Sequence, residues 1–168
     1  MIWTIVPYKS VGPLRFEMTP DEVAEQLGPP EEVSGAMPAG ASQELHAKYA
    51  DHTVEFRLGR SGGEAKPTVR YEAGKAVSFD LFDTLRTAEI DGFRLFEHSK
   101  RQALQKLRRD SKLYAEEIDG YVFFDFGISI SNDDMWDDSP PINVFAKGQF
   151  DDLLEAAEDD EDIKIVRK

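Results

Sequence analysis

Apolar positions along this chain follow two spacings, and the changes between them mark its elements. The opening run Met1 to Val6 reads as a β-strand closed by Pro7, Lys9 and Ser10, with Trp3 in the core. It carries no basic leading segment, so a strand is expected there rather than a signal peptide. Around Thr19 the spacing becomes helical. Thr19 is an N-cap, Pro20 suits the first helical position, and Glu22 completes a capping box. Val23 and Leu27 then share a buried face, and Gly28-Pro29-Pro30 ends the helix.

Period two follows. Val54, Phe56 and Leu58 alternate with polar residues, as do Val77, Phe79 and Leu81. Ser61-Gly62-Gly63 marks a long hairpin loop within 60–66, and the Gly-, Ala- and Pro-rich stretch 34–42 reads as an insertion. Farther on, Val122, Phe124, Phe126, Ile128 and Ile130 are expected along one strand face, opposite Asp125, Gly127 and Ser129. Residues 142–146 supply another strand, 151–157 a short helix, and 163–166 a closing strand.

The pattern repeats. Ser99 caps a second helix, Gln102 completes its box, and Ala103 and Leu107 take the buried positions. Gly12, Phe16, Glu17 and Leu27 recur as Gly92, Phe96, Glu97 and Leu107. The run from Asp51 to Gly59 matches that from Asp119 to Gly127, with Asp, Val, Phe and Gly coinciding, and Phe82, Asp83 and Leu85 fall on Phe150, Asp151 and Leu153. The expectation is an α+β chain, 1–168 as a single domain. Two tandem helix-plus-antiparallel-sheet units, 12–85 and 92–153, would be pseudo-duplicated and packed together. Phe56 and Phe124 would be buried equivalents.

Composition narrows the function. There is no cysteine, which excludes disulfides and thiolate metal sites and suits a reducing cytoplasm. No apolar run approaches the length of a membrane helix. With 20 basic and 33 acidic residues the formal charge is -13, a field that repels nucleic acid and anionic membranes and attracts a basic partner. Twelve carboxylates and only Lys147 lie between Ser131 and Asp162. An opposite pole gathers Lys100, Arg101, Lys106, Arg108, Arg109 and Lys112.

Catalytic patterns carry no weight: the chain has no zinc-protease helix or phosphate loop, and the Gly-x-Ser-x-Gly string Gly59-Arg60-Ser61-Gly62-Gly63 falls in the expected hairpin loop, not at a strand-to-helix turn. His46, His52 and His98 are scattered, His52 in an expected hairpin turn and His98 just before a helix cap. The run Asn132 to Asp138 fails the calcium-loop template, because Asp137 stands where Gly is needed and Asn143 where a bidentate acid is needed. No enzyme activity, cofactor or metal is therefore expected. A protein interface suits the run better: Met135 and Trp136 are apolar anchors flanked by Asp133, Asp134, Asp137 and Asp138, and Ser139-Pro140-Pro141 stiffens the exit. Asp151 and Asp152 join these as candidate partner-binding residues. Folding of Trp136 back onto the core is the alternative.

The string Gly12-Pro13-Leu14-Arg15-Phe16-Glu17-Met18-Thr19-Pro20-Asp21-Glu22-Val23, ending in Leu27-Gly28-Pro29-Pro30, resembles small cytosolic immunity proteins of bacterial polymorphic toxin and type VI secretion systems. The resemblance is specific over residues 12–30. It implies a cognate protein toxin as partner, for which a basic enzyme such as a nuclease is the electrostatic match. The shared pattern marks a helix cap, so it transfers no toxin-contacting residue. An acidic scaffold or adaptor subunit without a toxin partner is the alternative reading.

Overall fold

The two helix starts fold as their local sequences dictate. In the computed structural model, which describes residues 1–35, 43, 50–60, 62–131, 141–157 and 160–168, α1 spans Pro20–Leu27 and α2 spans Lys100–Asp110. Thr19 Oγ1 accepts from the Glu22 amide at 3.4 Å, and Glu22 Oε2 accepts from the Thr19 amide at 2.8 Å. Ser99 and Gln102 repeat the exchange at 3.3 and 3.1 Å. Each box satisfies amides that the first helical turn leaves without partners. Val23, Leu27, Ala103 and Leu107 are buried, as their spacing predicts.

A β-hairpin precedes each helix. β1 (Trp3–Val6), β2 (Ser10–Val11) and β3 (Leu14–Arg15) lead into α1; β8 (Ala88–Ile90) and β9 (Phe93–Arg94) lead into α2. These five strands form one sheet, in which β1 and β8 pair in parallel with Trp3 opposite Ala88 and Ile5 opposite Ile90. Trp3 is in the core as expected.

Four antiparallel strands follow each helix. After α1 come β4 (Glu32–Gly35), β5 (His52–Phe56), β6 (Thr68–Glu72) and β7 (Lys75–Leu81). After α2 come β10 (Leu113–Glu117), β11 (Gly120–Phe123), β12 (Ile128–Ser131) and β13 (Ile142–Phe145). The two meanders join edge to edge where β7 pairs with β13, Phe79 opposite Val144 and Leu81 opposite Ile142. The last elements, α3 (Asp151–Ala156) and β14 (Lys164–Arg167), complete a nine-stranded sheet ordered β14-β10-β11-β12-β13-β7-β6-β5-β4. The chain is thus α+β and mostly β, with two sheets and three short helices among the described residues.

Opposite faces of the large sheet carry separate cores, because successive strand side chains point to opposite sides. On one face Phe79, Leu81, Phe123, Ile128 and Val144 pack with Trp3, Leu14, Val23, Leu27 and Leu107 from the small sheet and the first two helices. On the other, Val122, Phe124 and Phe145 meet Leu153 and Leu154 of α3. Central strand β7 is covered on both sides, so Ser78 and Asp80 are buried along with Phe79 and Leu81.

Several details depart from the periodic reading. The apolar run 122–130 is not one strand: the chain turns between β11 and β12, with Gly127 at φ 62, so Val122 and Phe124 pack beneath α3 while Phe126, Ile128 and Ile130 join the opposite core. Phe124 is buried while Phe56 is only half-buried, and the two are not equivalent. Leu58 lies beyond β5. His52 is the first residue of β5, not part of a turn, and its Nε2 lies 3.8 Å from Glu72.

The largest departure is in β5 and just beyond it, where Glu55 and Arg57 turn inward. Arg57 Nη2 reaches Glu55 Oε2 at 2.9 Å, and the buried Tyr71 hydroxyl donates to the same oxygen at 2.6 Å. Burial, then the bond to Glu55, pushes the Tyr71 hydroxyl far above its ordinary range. Arg57 Nε also donates to the Gly28 carbonyl at 3.2 Å, and Lys66 Nζ donates to the Leu27 carbonyl. Two cations thus close the C-terminal end of α1, where the helix dipole is negative. Removing one partner of a buried ion pair strands the other charge, so Arg57→Met is expected to cost about 3–5 kcal/mol. Glu55→Gln, which keeps an acceptor for Tyr71, should cost less. Urea unfolding of the two variants checks the order.

Candidate functional site

The β10–β11 hairpin ends in a two-residue turn, Ile118-Asp119, between Glu117 and Gly120, which are paired. A Cβ at position 120 would lie 2.3 Å from the Ile130 carbonyl oxygen, so glycine is the residue that lets β12 approach this turn. Ile118 is 82% exposed at the tip, with Glu117 half-buried and Asp119 exposed beside it. An isoleucine held out by a tight turn between two carboxylates is apolar area available to a partner.

More acid arrives from the C-terminal segment. Lys164 pairs with Glu116, one residue before the end of β10, so Asp160, Glu161 and Asp162 enter β14 at the same end of the sheet. All three are exposed. Neither they nor Glu117 and Asp119 form an ion pair among the described residues. Strand β12 also ends here: Ser131 pairs with Gly120, and its hydroxyl donates to the Asp119 carbonyl at 3.3 Å. Ser131, the last described residue before the segment singled out in the sequence, therefore lies beside Asp119. Asp133, Asp134, Met135, Trp136, Asp137 and Asp138 themselves lie outside the described residues.

Asp151 and Asp152 are elsewhere. They start α3, which follows Phe145, the end of β13 remote from Ile142. Both are exposed. Asp151 lies close enough to Tyr8 that, after burial and the charge of Asp125, it helps raise the phenol's pKa. Tyr8 donates to the Phe124 carbonyl beside the β11–β12 turn. Asp151 and Asp152 are thus at the end of the sheet away from Asp160, Glu161 and Asp162.

The basic pole falls on α2 and its surroundings. Lys106 and Arg109 both bond Asp110, whose carboxyl is held down to about 2 by Arg109 first and Lys106 second. Arg108 lies 3.7 Å from Glu116 and over the rings of Tyr114 and Tyr121. Lys168 donates to the Arg108 and Arg109 carbonyls, capping α2. His98 stacks on Phe93, centroids 4.6 Å apart and planes 8° apart, and His46 lies outside the described residues. Among the described residues no group of three or more His, Asp or Glu is placed to hold a metal ion, and no helix is long and apolar enough to cross a membrane.

Sequence reading missed Ile118 and its neighbours. The signal was present, one large apolar residue inside Glu116-Glu117-Ile118-Asp119-Gly120, but it gained meaning only once the strands on either side were paired.

Burial, then the charge of Asp119, raises the Glu117 pKa. The fold therefore favours the protonated carboxyl. That contribution is fully present below the unfolded carboxylate pKa of about 4.3 and is lost as pH rises through the higher folded value. Glu117→Gln mimics the protonated form and should melt higher than wild type at neutral pH, with the difference closing in acid. Thermal melts across that range check it.

No protein-family model, curated protein or solved structure matches the chain.

Proposed function

We propose that this protein is a cytosolic immunity protein, which binds a cognate delivered bacterial toxin through its acidic end and neutralises it by occlusion. One observation carries the reading. At a single end of the sheet, Glu117, Asp119, Asp160, Glu161 and Asp162 have no ion-pair partner among the described residues and surround the exposed Ile118. Carboxylates without counter-ions repel one another and lower stability, and a basic partner would relieve that repulsion. Such charges chiefly raise the association rate, while a desolvated apolar anchor slows dissociation. The acidic run 133–138, entered beside Asp119, would extend the surface and add Trp136 as a second anchor. The resemblance of residues 12–30 to immunity proteins points the same way. The chain acts here as an inhibitor, not an enzyme, and takes no cofactor.

A scaffold without a toxin partner calls for a broad exposed apolar face. Among the described residues the large exposed apolar side chains are Met1, Ile2 and Val6 near β1, Val33 on β4 and Ile118, three separate places. That distribution favours the immunity reading.

The repeated element order supports a further part of this proposal, that the halves descend from a tandem duplication. Hairpin, capped helix and four-stranded meander recur in sequence, and β5 and β11, each led by the Asp of a matched Asp-x-x-Val segment, are each second in their meander. Duplication doubles a surface that selection can then make different in each half.

Co-expression with the product of the neighbouring gene tests the function. A toxic product should be tolerated in the presence of this chain and should co-purify with it. In that complex, replacing Asp160, Glu161 and Asp162 with amides should slow association and flatten its salt dependence. Ile118→Ala and Trp136→Ala should instead speed dissociation, by about 2 kcal/mol for a hot spot. Wild-type kinetics for all of these variants would move the interface elsewhere, and a neighbour that is neither toxic nor bound would remove the immunity reading.

A further inference from the structure

Counted from their N-caps, α1 and α2 can be compared position by position, and their exposed faces have opposite charge. α1 carries Asp21, Glu22 and Glu25 and no cation; α2 carries Lys100, Arg101, Lys106, Arg108 and Arg109 against Asp110 alone. Asp21 corresponds to Arg101, Glu22 to Gln102, Glu25 to Gln105 and Gln26 to Lys106. The buried positions stay apolar in both, Val23 with Ala103 and Leu27 with Leu107. Core packing therefore does not require the inversion. Solubility does not require it either, since a chain of net charge -13 gains nothing there from a basic helix.

A groove accompanies each helix where its preceding hairpin meets it. Beside α1 it measures about 420 Å³ and includes Pro13, Arg15, Met18 and Gln26. Beside α2 it measures about 600 Å³ and is lined by Phe93, His98, Gln102, Gln105, Lys106 and Arg109. Where Met18 is buried in the first half, His98 is exposed in the second and lies flat on Phe93. Lys106 sits 5.7 Å from the Phe93 ring centre. The second groove thus has an aromatic wall and a row of donors. Lys106 and Arg109 share one carboxylate, leaving positive charge there for an anion.

We infer that the groove between the β8–β9 hairpin and α2 is a second docking surface, which takes an acidic polypeptide segment bearing an apolar residue. The apolar residue packs against the Phe93–His98 stack. Carboxylates flanking it meet Lys106 and Arg109, with Arg101 on the adjoining turn. A short acidic segment satisfies this patch without approaching the rest of the molecule, whereas the continuous negative backbone of a nucleic acid would run onto its acidic surfaces. The surface is separate from the acidic end and does not depend on what that end binds.

Fluorescence anisotropy tests it, using a labelled oligoglutamate peptide with one central Leu at low ionic strength. Saturable binding is expected, weakened about tenfold when Lys106→Gln and Arg109→Gln are combined, as befits loss of two charge-assisted bonds. His98→Met, which installs the residue of the first half, should weaken binding with the chain still folded by thermal melt, and it decides the matter if the double variant melts early. Asp21→Asn on α1 should bind as wild type does. Absence of saturable binding, wild-type binding by the Lys106/Arg109 and His98 variants, or a duplex oligonucleotide that competes better than the peptide would each overturn the inference.

Discussion

The pairing of β7 with β13 is the contact on which the rest of the molecule depends. Each meander alone has one helix and four strands, too little surface to bury its own apolar face. Four residue pairs along this seam make the two meanders one sheet, and that sheet gives the small sheet and both N-capped helices a common floor. The seam is fixed on both faces. On one, Phe79, Leu81, Ile142 and Val144 interlock. On the other, Asp80 accepts from Asn143 across the seam at 2.6 Å and from Arg70 at 3.0 Å. A slip of one residue would turn the apolar side chains outward and separate Asp80 from Asn143, so register is specified twice. Its partners are about sixty residues apart in sequence, so closing it carries a loop-entropy cost that local turns do not.

The same topology separates the charges. β10 leaves the C-terminal end of α2, where Arg108, Arg109 and Lys112 gather, and runs to Glu116 and Glu117. β14 returns antiparallel, placing Arg167 opposite Leu113 and Lys164 opposite Glu116, after Asp160, Glu161 and Asp162. One edge of the sheet is thereby basic at one end and acidic at the other. The acidic end holds an isoleucine out to solvent, while the basic end is partly neutralised by Asp110, and Arg108 reaches along the edge to Glu116. An electrostatic gradient of this kind across a small domain would orient charged partners before contact.

What could be read from the chain depended on how far apart the interacting groups lie. Thr19 with Glu22 and Ser99 with Gln102 are three residues apart, and both capping boxes formed as written. The positions of β7, β13, α3 and β14 followed from short-range periodicity. Glu55 and Arg57 could not be read that way. Their inward turn depends on the Tyr71 hydroxyl and the Gly28 carbonyl, neither of which is local. The break at 124–127 was hidden because its aromatic residues continue period two through a turn that Gly127 makes. The two-residue strands β2, β3 and β9 are too short for any periodicity, so the small sheet was invisible. The acidic weight of 131–162 was plain in the sequence, but the separation of Asp160, Glu161 and Asp162 from Asp151 and Asp152 arises from the return of β14.

The most direct test of the account is where a bound toxin protects the chain. Hydrogen exchange on the complex with the neighbouring gene product is predicted to slow at Glu117 to Gly120, across 131–141 and at Asp160 to Asp162, leaving α2 as it is in the free protein. Protection confined to α2, with the acidic end exchanging as before, would contradict it.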